Sequence, residues 1–392
     1  MKTRKILKKT ISFILALSMI LSVSLVMASA KQTNVINYHV GNEIHTYSYT
    51  DDQHSIGYSD DTFGDEYCMK IVGEEAIVGW RVKETGKEIY YTDFTSCIIK
   101  DNPGELNLYP IGVKLALLPE DVYYFNHDSR YFLLDGNNYY MTEEHEKLLL
   151  ETTLAAGKNS SLQIPAYILS KILKAYPDFS WNGSCIGYTT TACLQKKGLL
   201  DVVSTQEGAT CIRDLEPTPD LISLMNYYNG HATINVLPKN KAIGPGSKEY
   251  ARQLKNLYEC VEAGNLTLME FIMIIGYHGF ACTGAFTDAT GAHYLIIYDE
   301  NNELYVDGKF IPAYANGYVD IVKIAPDFST IETNYGELPA IFWSADFESY
   351  KAFDINGNYD SSIYLNEVRR QTVHGLTSFL KAHLPNILKA FA

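Results

Sequence analysis

The sequence predicts an α+β fold, and three observations carry that expectation. Hydrophobic residues make up 46% and charged residues 20% of the 392, a composition that buries a core. Residues 31 to about 145 hold short apolar segments between Asp, Gly and Asn turns, the pattern of strands. Beyond Thr142 the apolar spacing becomes helical, and from Gly183 to about Gly336 the helical and strand patterns alternate. At about 150 residues per domain, the length suits two to three domains. The expected organisation is a leader over residues 1–30 and a β-rich region over 31–150, either an accessory domain or a prosegment. A mixed region over 151–345 and a C-terminal amphipathic helical segment over 346–392 follow.

In chain order, residues 1–30 read as a signal peptide. Lys2, Arg4, Lys5, Lys8 and Lys9 form a basic start, Ile11 to Val26 is an uncharged apolar run, and Ala28-Ser29-Ala30 is a small-x-small cleavage site. Losing its five basic residues takes the net charge from −14 to −19. Glu43–Tyr49, Ile89–Thr92 and Tyr131–Leu134 read as strands, with turns at Asn102-Pro103-Gly104 and Asp135-Gly136-Asn137-Asn138. Helices are expected from Thr142 through Leu150 and from Ile164 to Tyr176. Leu268 to Tyr277 is apolar but carries Glu270 and is too short to cross a membrane. The tail from Tyr364 to Phe391 has a helical apolar stripe, broken at Pro385.

Composition also excludes functions. The 46 acidic against 32 basic residues are the wrong balance for a nucleic-acid binder. After leader cleavage no stable membrane association is expected. All seven cysteines lie beyond the leader: Cys68, Cys97, Cys185, Cys193, Cys211, Cys260 and Cys282. An odd number leaves at least one thiol outside any intramolecular disulfide. No C-x-x-C pair and no Cys/His zinc spacing occurs, so the sequence implies neither a metal nor a cofactor.

The most informative stretch is Ser180-Trp181-Asn182-Gly183-Ser184-Cys185-Ile186-Gly187-Tyr188. A loop of small and turn-forming residues runs into a helix that ends near Lys196-Lys197-Gly198. The lysines suit the negative helix end, and Gly198 suits the left-handed residue beyond it. Cys185 falls in the first turn, where unsatisfied N–H groups favour a thiolate. Thr189-Thr190-Thr191 would suit a buried helix better than a solvated one. For a base, Gly291-Ala292-His293 places His293 at the start of an apolar strand running to Tyr298. Glu303 to Gly308 reads as a second strand that includes Asp307. An odd loop of Asp299, Glu300 and Asn301 sets His293 opposite Asp307, and an even loop separates their faces.

A small-residue-led Cys at a helix start, a Gly-x-His at a strand start and an acid one hairpin later, in that order, resemble the papain-like cysteine peptidases. The likeness is to exported bacterial members with a Gly-x-Cys-x-Gly segment, here Gly183 to Gly187, and it spans roughly residues 160 to 335. It implies a papain-like two-lobed catalytic domain over 151–345. A helical lobe would carry Cys185, and a β-barrel-like lobe would carry His293. Cys185 would be the nucleophile, His293 the base and Asp307 the third member. No glutamine closely precedes Cys185, so Asn182 is taken with the Cys185 backbone N–H as the oxyanion donors. The expected function is a secreted or extracellular thiol protease, a hydrolase acting on peptide or protein substrates without a cofactor. The alternatives are a transglutaminase-like acyl transferase, or an inactive exported binding or adhesion protein. Asn182-Gly183-Ser184 is also a glycosylation sequon. A glycan there would crowd the site, which favours a bacterial producer.

Other candidates read as structural. Cys193 lies deeper in the same helix and is expected in the core. Gly276 to Cys282 reads as a glycine-rich loop holding His278 and Cys282. His231, after Asn229-Gly230, reads as a solvated turn residue. His39, His45 and His54 lack metal-ligand spacing.

Overall fold

The computed structural model describes residues 33–49, 53–56, 69–91, 97–100, 104–125, 141–145, 148–149, 184–231, 248–273, 276–333, 336–337 and 341–349. The leader, the Tyr131–Leu134 strand, the 164–176 helix, Asn182 and the tail from Tyr364 lie outside the described residues. What is described is mixed α+β and divides into two units: residues 1–68 with 78–111, and residues 69–77 with 112–392. No described helix is long and apolar enough to cross a membrane.

The first unit is built of strands. β1 (Asn34–Val40) and β2 (Glu43–Tyr49) form an antiparallel hairpin in unbroken register from Asn34↔Tyr49 to Val40↔Glu43. Gly41 supplies the positive φ of 59° in its turn. Asn34, Ile36, Tyr38 and Val40 alternate into the core along β1, the period-two pattern of a sheet with one wet face. β3 (Gln53–Ile56) follows, then the short β4 (Ile71–Val72) of the second unit, β5 (Glu75–Val82), β6 (Glu88–Tyr90), β7 (Cys97–Lys100) and β8 (Glu105–Lys114). β1 also pairs in parallel with β8, and β3 pairs with β7. Tyr38 meets Trp80 edge-on at 5.0 Å.

The second unit holds α1 (Cys185–Lys196), α2 (Pro219–His231) and α3 (Lys248–Glu262), followed by the strands of one large sheet. These strands are β9 (Thr267–Met273), β10 (Gly276–Thr287), β11 (His293–Tyr298), β12 (Glu303–Val306), β13 (Lys309–Pro312), β14 (Asp320–Ile324), β15 (Ile331–Thr333), β16 (Gly336–Glu337) and β17 (Ile341–Ser344). Seven form an antiparallel sheet in the order β16-β15-β14-β11-β10-β9-β17, while β12 and β13 pair apart from it.

Helices cover both faces of this sheet. Tyr250, Leu254, Leu257, Tyr258 and Val261 of α3 recur at helical spacing and pack on Met269, Phe271, Phe280, Cys282, Leu295 and Ile297. Burying each aliphatic side chain stabilises the unit by roughly 1.5–3 kcal/mol. On the opposite face α1 packs on β10 and β9 and against α2. Every residue of α1 from Cys185 to Leu194 is buried. Two of the three threonines find partners inside: Thr189 Oγ1 donates to Glu300 Oε2 at 3.1 Å, and Thr191 Oγ1 donates back to the Gly187 carbonyl at 2.9 Å, while the buried Thr190 hydroxyl has none. Two glycines permit the close approach. A Cβ on Gly187 would land on the Met225 carbonyl, and one on Gly279 would sit 3.0 Å from Ile186 Cγ1.

Three expectations need correction. Gly276 to Cys282 is no loop but the first half of β10, a twelve-residue strand. Gly279 serves packing, since a side chain there would press on Ile186 of α1. His231 is fully buried at the end of α2, stacked on Tyr227 at 5.8 Å. The strands β11 and β12 form no hairpin. Both edges of β11 are already paired, with β10 and β14, so β12 turns back on β13. Many of the described tyrosines are core residues: Tyr38, Tyr123, Tyr188, Tyr227, Tyr250, Tyr294, Tyr298 and Tyr314 are buried.

Candidate active site

The site grows from one end of α1 and one end of β10. Cys185 is the first residue of α1, with Ser184 as its N-cap. Ser184 does not cap through its own side chain. Its hydroxyl donates to Asn226 Oδ1 on α2, and Asn229 Oδ1 on the same helix accepts the Gly187 N–H at 3.2 Å. The helix start is therefore tied to α2 at two points. Cys185 keeps 6% of its surface exposed.

The histidine brought to Cys185 is His278. On β10, Ala281 pairs with Tyr298 of β11. Past the end of β11 the chain turns, with the Asn302 N–H donating to the Asp299 carbonyl at 3.3 Å, and this turn brings Asp299, Glu300 and Asn301 to His278. His278 Nε2 lies 3.0 Å from Asp299 Oδ1, with the two side chains 1% and 0% exposed. Glu300 Oε1 lies 3.9 Å from His278 Nδ1. The Cys185 sulfur, a His278 ring nitrogen and a Glu300 oxygen all lie within 4.8 Å of one another. The Cys185 side chain is hydrogen-bonded to His278. The Asn301 amide nitrogen lies 3.2 Å from Nδ1 and 3.4 Å from Nε2.

Electrostatics follow from this enclosure. Burial by itself would push the His278 imidazole down. The Asp299 charge and hydrogen bond, together with Cys185, override it and hold His278 well above the ordinary histidine value. Burial, with some repulsion from Asp299, pushes the Glu300 carboxyl up, while His278 and the Thr189 bond pull the other way.

The predicted partners lie elsewhere. His293 opens β11 as expected, but its Nδ1 is 2.9 Å from Thr287 Oγ1 and its ring stacks on Phe328 at 4.3 Å, beside Tyr258 at 4.6 Å. It is a half-buried histidine in an aromatic sandwich with α3. Asp307 is exposed at φ 50° and is followed by Gly308 at φ 84°. It is the first residue of the two-residue turn joining β12 to β13, where both φ must be positive and Asp-Gly is favoured. Neither belongs with Cys185, because the hairpin that would have aligned them does not form. Asn182, the predicted oxyanion donor, lies outside the described residues.

Cys193 and Cys282 are fully buried. Burial pushes the Cys282 thiol up to about 12 and the Cys193 thiol higher still. The signals for the observed partners were present in the sequence. His278 opens the alternating segment His278-Gly279-Phe280-Ala281-Cys282, and Asp299 ends the apolar run of β11. Glycine density disguised the first; the second does sit in the predicted Asp299 to Asn302 turn, where it was not read as a histidine partner. No protein-family model, curated protein or solved structure matches this chain.

Proposed function

We propose that the chain is a papain-like cysteine peptidase, exported by its leader, that hydrolyses peptide bonds through Cys185, His278 and Asp299. The observation that carries this reading is the buried His278 ring, held at Nε2 by Asp299 and hydrogen-bonded to a thiol at the head of a helix. A nucleophile, a base and a group orienting that base are the three parts of nucleophilic acyl chemistry. A thiol helix packed on an antiparallel sheet that carries the histidine and acid fits the two-lobed family plan.

The reaction then runs on these residues. Cys185 passes its proton to His278 and attacks the scissile carbonyl carbon as a thiolate. The carbonyl oxygen takes the charge and meets the N–H groups of the α1 start. His278 gives its proton to the leaving amine as the C–N bond breaks, leaving a thioester on Cys185. Water, deprotonated by His278, attacks the thioester, and the thiol is regenerated with release of the acid. Throughout, Asp299 accepts from Nε2–H and fixes the ring orientation.

The test is peptide release by the leaderless protein. Cys185→Ala and His278→Ala should each lower turnover at least a thousandfold, whereas His293→Ala and Cys282→Ala should retain it within about tenfold. Loss on His293→Ala with survival of His278→Ala would return the base to β11.

A further inference from the structure

We propose that Cys185, His278 and Glu300 form a zinc site, through which Zn²⁺ reversibly blocks the thiol chemistry. The blocking rests on the peptidase reading, but the metal site rests on its own donors. These are a thiol, an imidazole and a carboxylate from three different chain segments, with ligand atoms within 4.8 Å of one another. Tetrahedral zinc with bonds of about 2.0–2.3 Å needs ligand-to-ligand distances of about 3.3–3.8 Å. Small side-chain rotations are enough to reach them. Among the described residues this is the one such group of three.

A second observation points to a cation. Glu300 is fully buried, and its Oε1, on the His278 side, has no hydrogen-bond partner. Its other oxygen is held by Thr189. A buried carboxylate oxygen without a partner is costly, and coordination to a metal satisfies it. The outer groups are also in place. Asp299 accepts from Nε2 and thereby presents the Nδ1 lone pair, the carboxylate–histidine–metal arrangement that orients zinc ligands. Sulfur with imidazole suits zinc, whereas magnesium and calcium call for all-oxygen sets. Three protein ligands leave a fourth position for water.

Binding involves no redox step. The thiol proton of Cys185, and the Nδ1 proton where His278 carries one, pass to solvent as the Zn–S and Zn–N bonds form. The metal then occupies the sulfur and nitrogen lone pairs that hydrolysis uses, so zinc and peptide compete.

The experiment titrates the metal-free full chain with Co²⁺, a spectroscopic stand-in, and then displaces it with Zn²⁺. The wild type should take up one equivalent with a thiolate-to-cobalt charge-transfer band and tetrahedral visible bands. Cys185→Ser should abolish the charge-transfer band. Glu300→Gln, which keeps an oxygen for Thr189, should weaken binding at least tenfold. Independently of any variant's folding, Zn²⁺ should protect Cys185 but not half-exposed Cys211 of the wild type from iodoacetamide. No cobalt uptake at tens of micromolar, an unchanged band in Cys185→Ser, equal affinity in folded Glu300→Gln, or no protection of Cys185 would each overturn the site. None of these readouts needs turnover. A chain that binds metal but cleaves no peptide refutes the hydrolase and keeps the site. A chain that cleaves peptide but binds no metal does the reverse.

Discussion

The role proposed for Cys185 rests on position: among the described cysteines it alone is the first residue of an α-helix, while Cys193 and Cys282 lie in fully buried packing. That position was legible from the small-residue loop before it and the lysines and glycine after it. The partners were not, because a histidine's identity says nothing about which strand edge is free. His293 and Asp307 matched a motif in spacing, yet the pairing of β11 on both sides put them out of reach. The two aspartates can be separated directly. Asp299→Asn keeps an acceptor for Nε2–H and should retain partial peptide turnover. Asp299→Ala should lose at least a hundredfold more and destabilise the fold by about 3–5 kcal/mol, since it strands a buried partner. Asp307→Ala should leave turnover unchanged and cost about 1–2 kcal/mol, the strain of a left-handed backbone without Asp or Gly. Steady-state rates with urea unfolding of each variant check this, and activity lost in Asp307→Ala but kept in Asp299→Ala would reverse the assignment.

Helix α1 was the element best read in advance, beginning at Cys185, ending before Gly198 at φ 67°, and burying its three threonines. The β1–β2 hairpin was half legible: β2 has the predicted bounds. β10 was missed because its glycines resemble loop punctuation, whereas Gly279 is there so that α1 can approach. Gly187 plays the same part between α1 and α2. Gly187→Ala should destabilise the second unit by about 1–3 kcal/mol, the usual penalty of forced overpacking. It should also slow Cys185 alkylation by displacing the helix start. Calorimetry and a thiol assay would show it, and an unperturbed Gly187→Ala protein would mean that the helices do not meet there. Beside Gly279, on β9, the buried Glu270 has neither carboxylate oxygen hydrogen-bonded, and burial holds its carboxyl well above the usual range. No sequence pattern announced that an acid would be tolerated in this apolar strand.

The acidic chain, with a net charge of −14, also buries groups that prefer their protons. Burial raises Asp320 to about 6, and His278 and Glu270 sit well above their ordinary values. Each binds its proton more tightly folded than unfolded. Its contribution is therefore fully present below the unfolded value and lost as pH rises through the folded one. For Asp320 that window runs from about pH 4 to about pH 6. Urea midpoints should fall from pH 5 to pH 8, and Asp320→Asn should flatten the part below pH 6. A midpoint rising over that range would contradict the shifts. The α+β class and the β-rich first unit were legible from alternation and turns. The pairing of His278 with Cys185 was not, because it depends on how α1 packs on β10, and that packing is a property of the assembled unit. The most direct test of that pairing is the rate at which iodoacetamide alkylates Cys185 at pH 5, followed by peptide mapping. The wild type and His293→Ala should react at similar rates, while His278→Ala should react at least tenfold more slowly. Slow alkylation in His293→Ala with wild-type speed in His278→Ala would contradict the account.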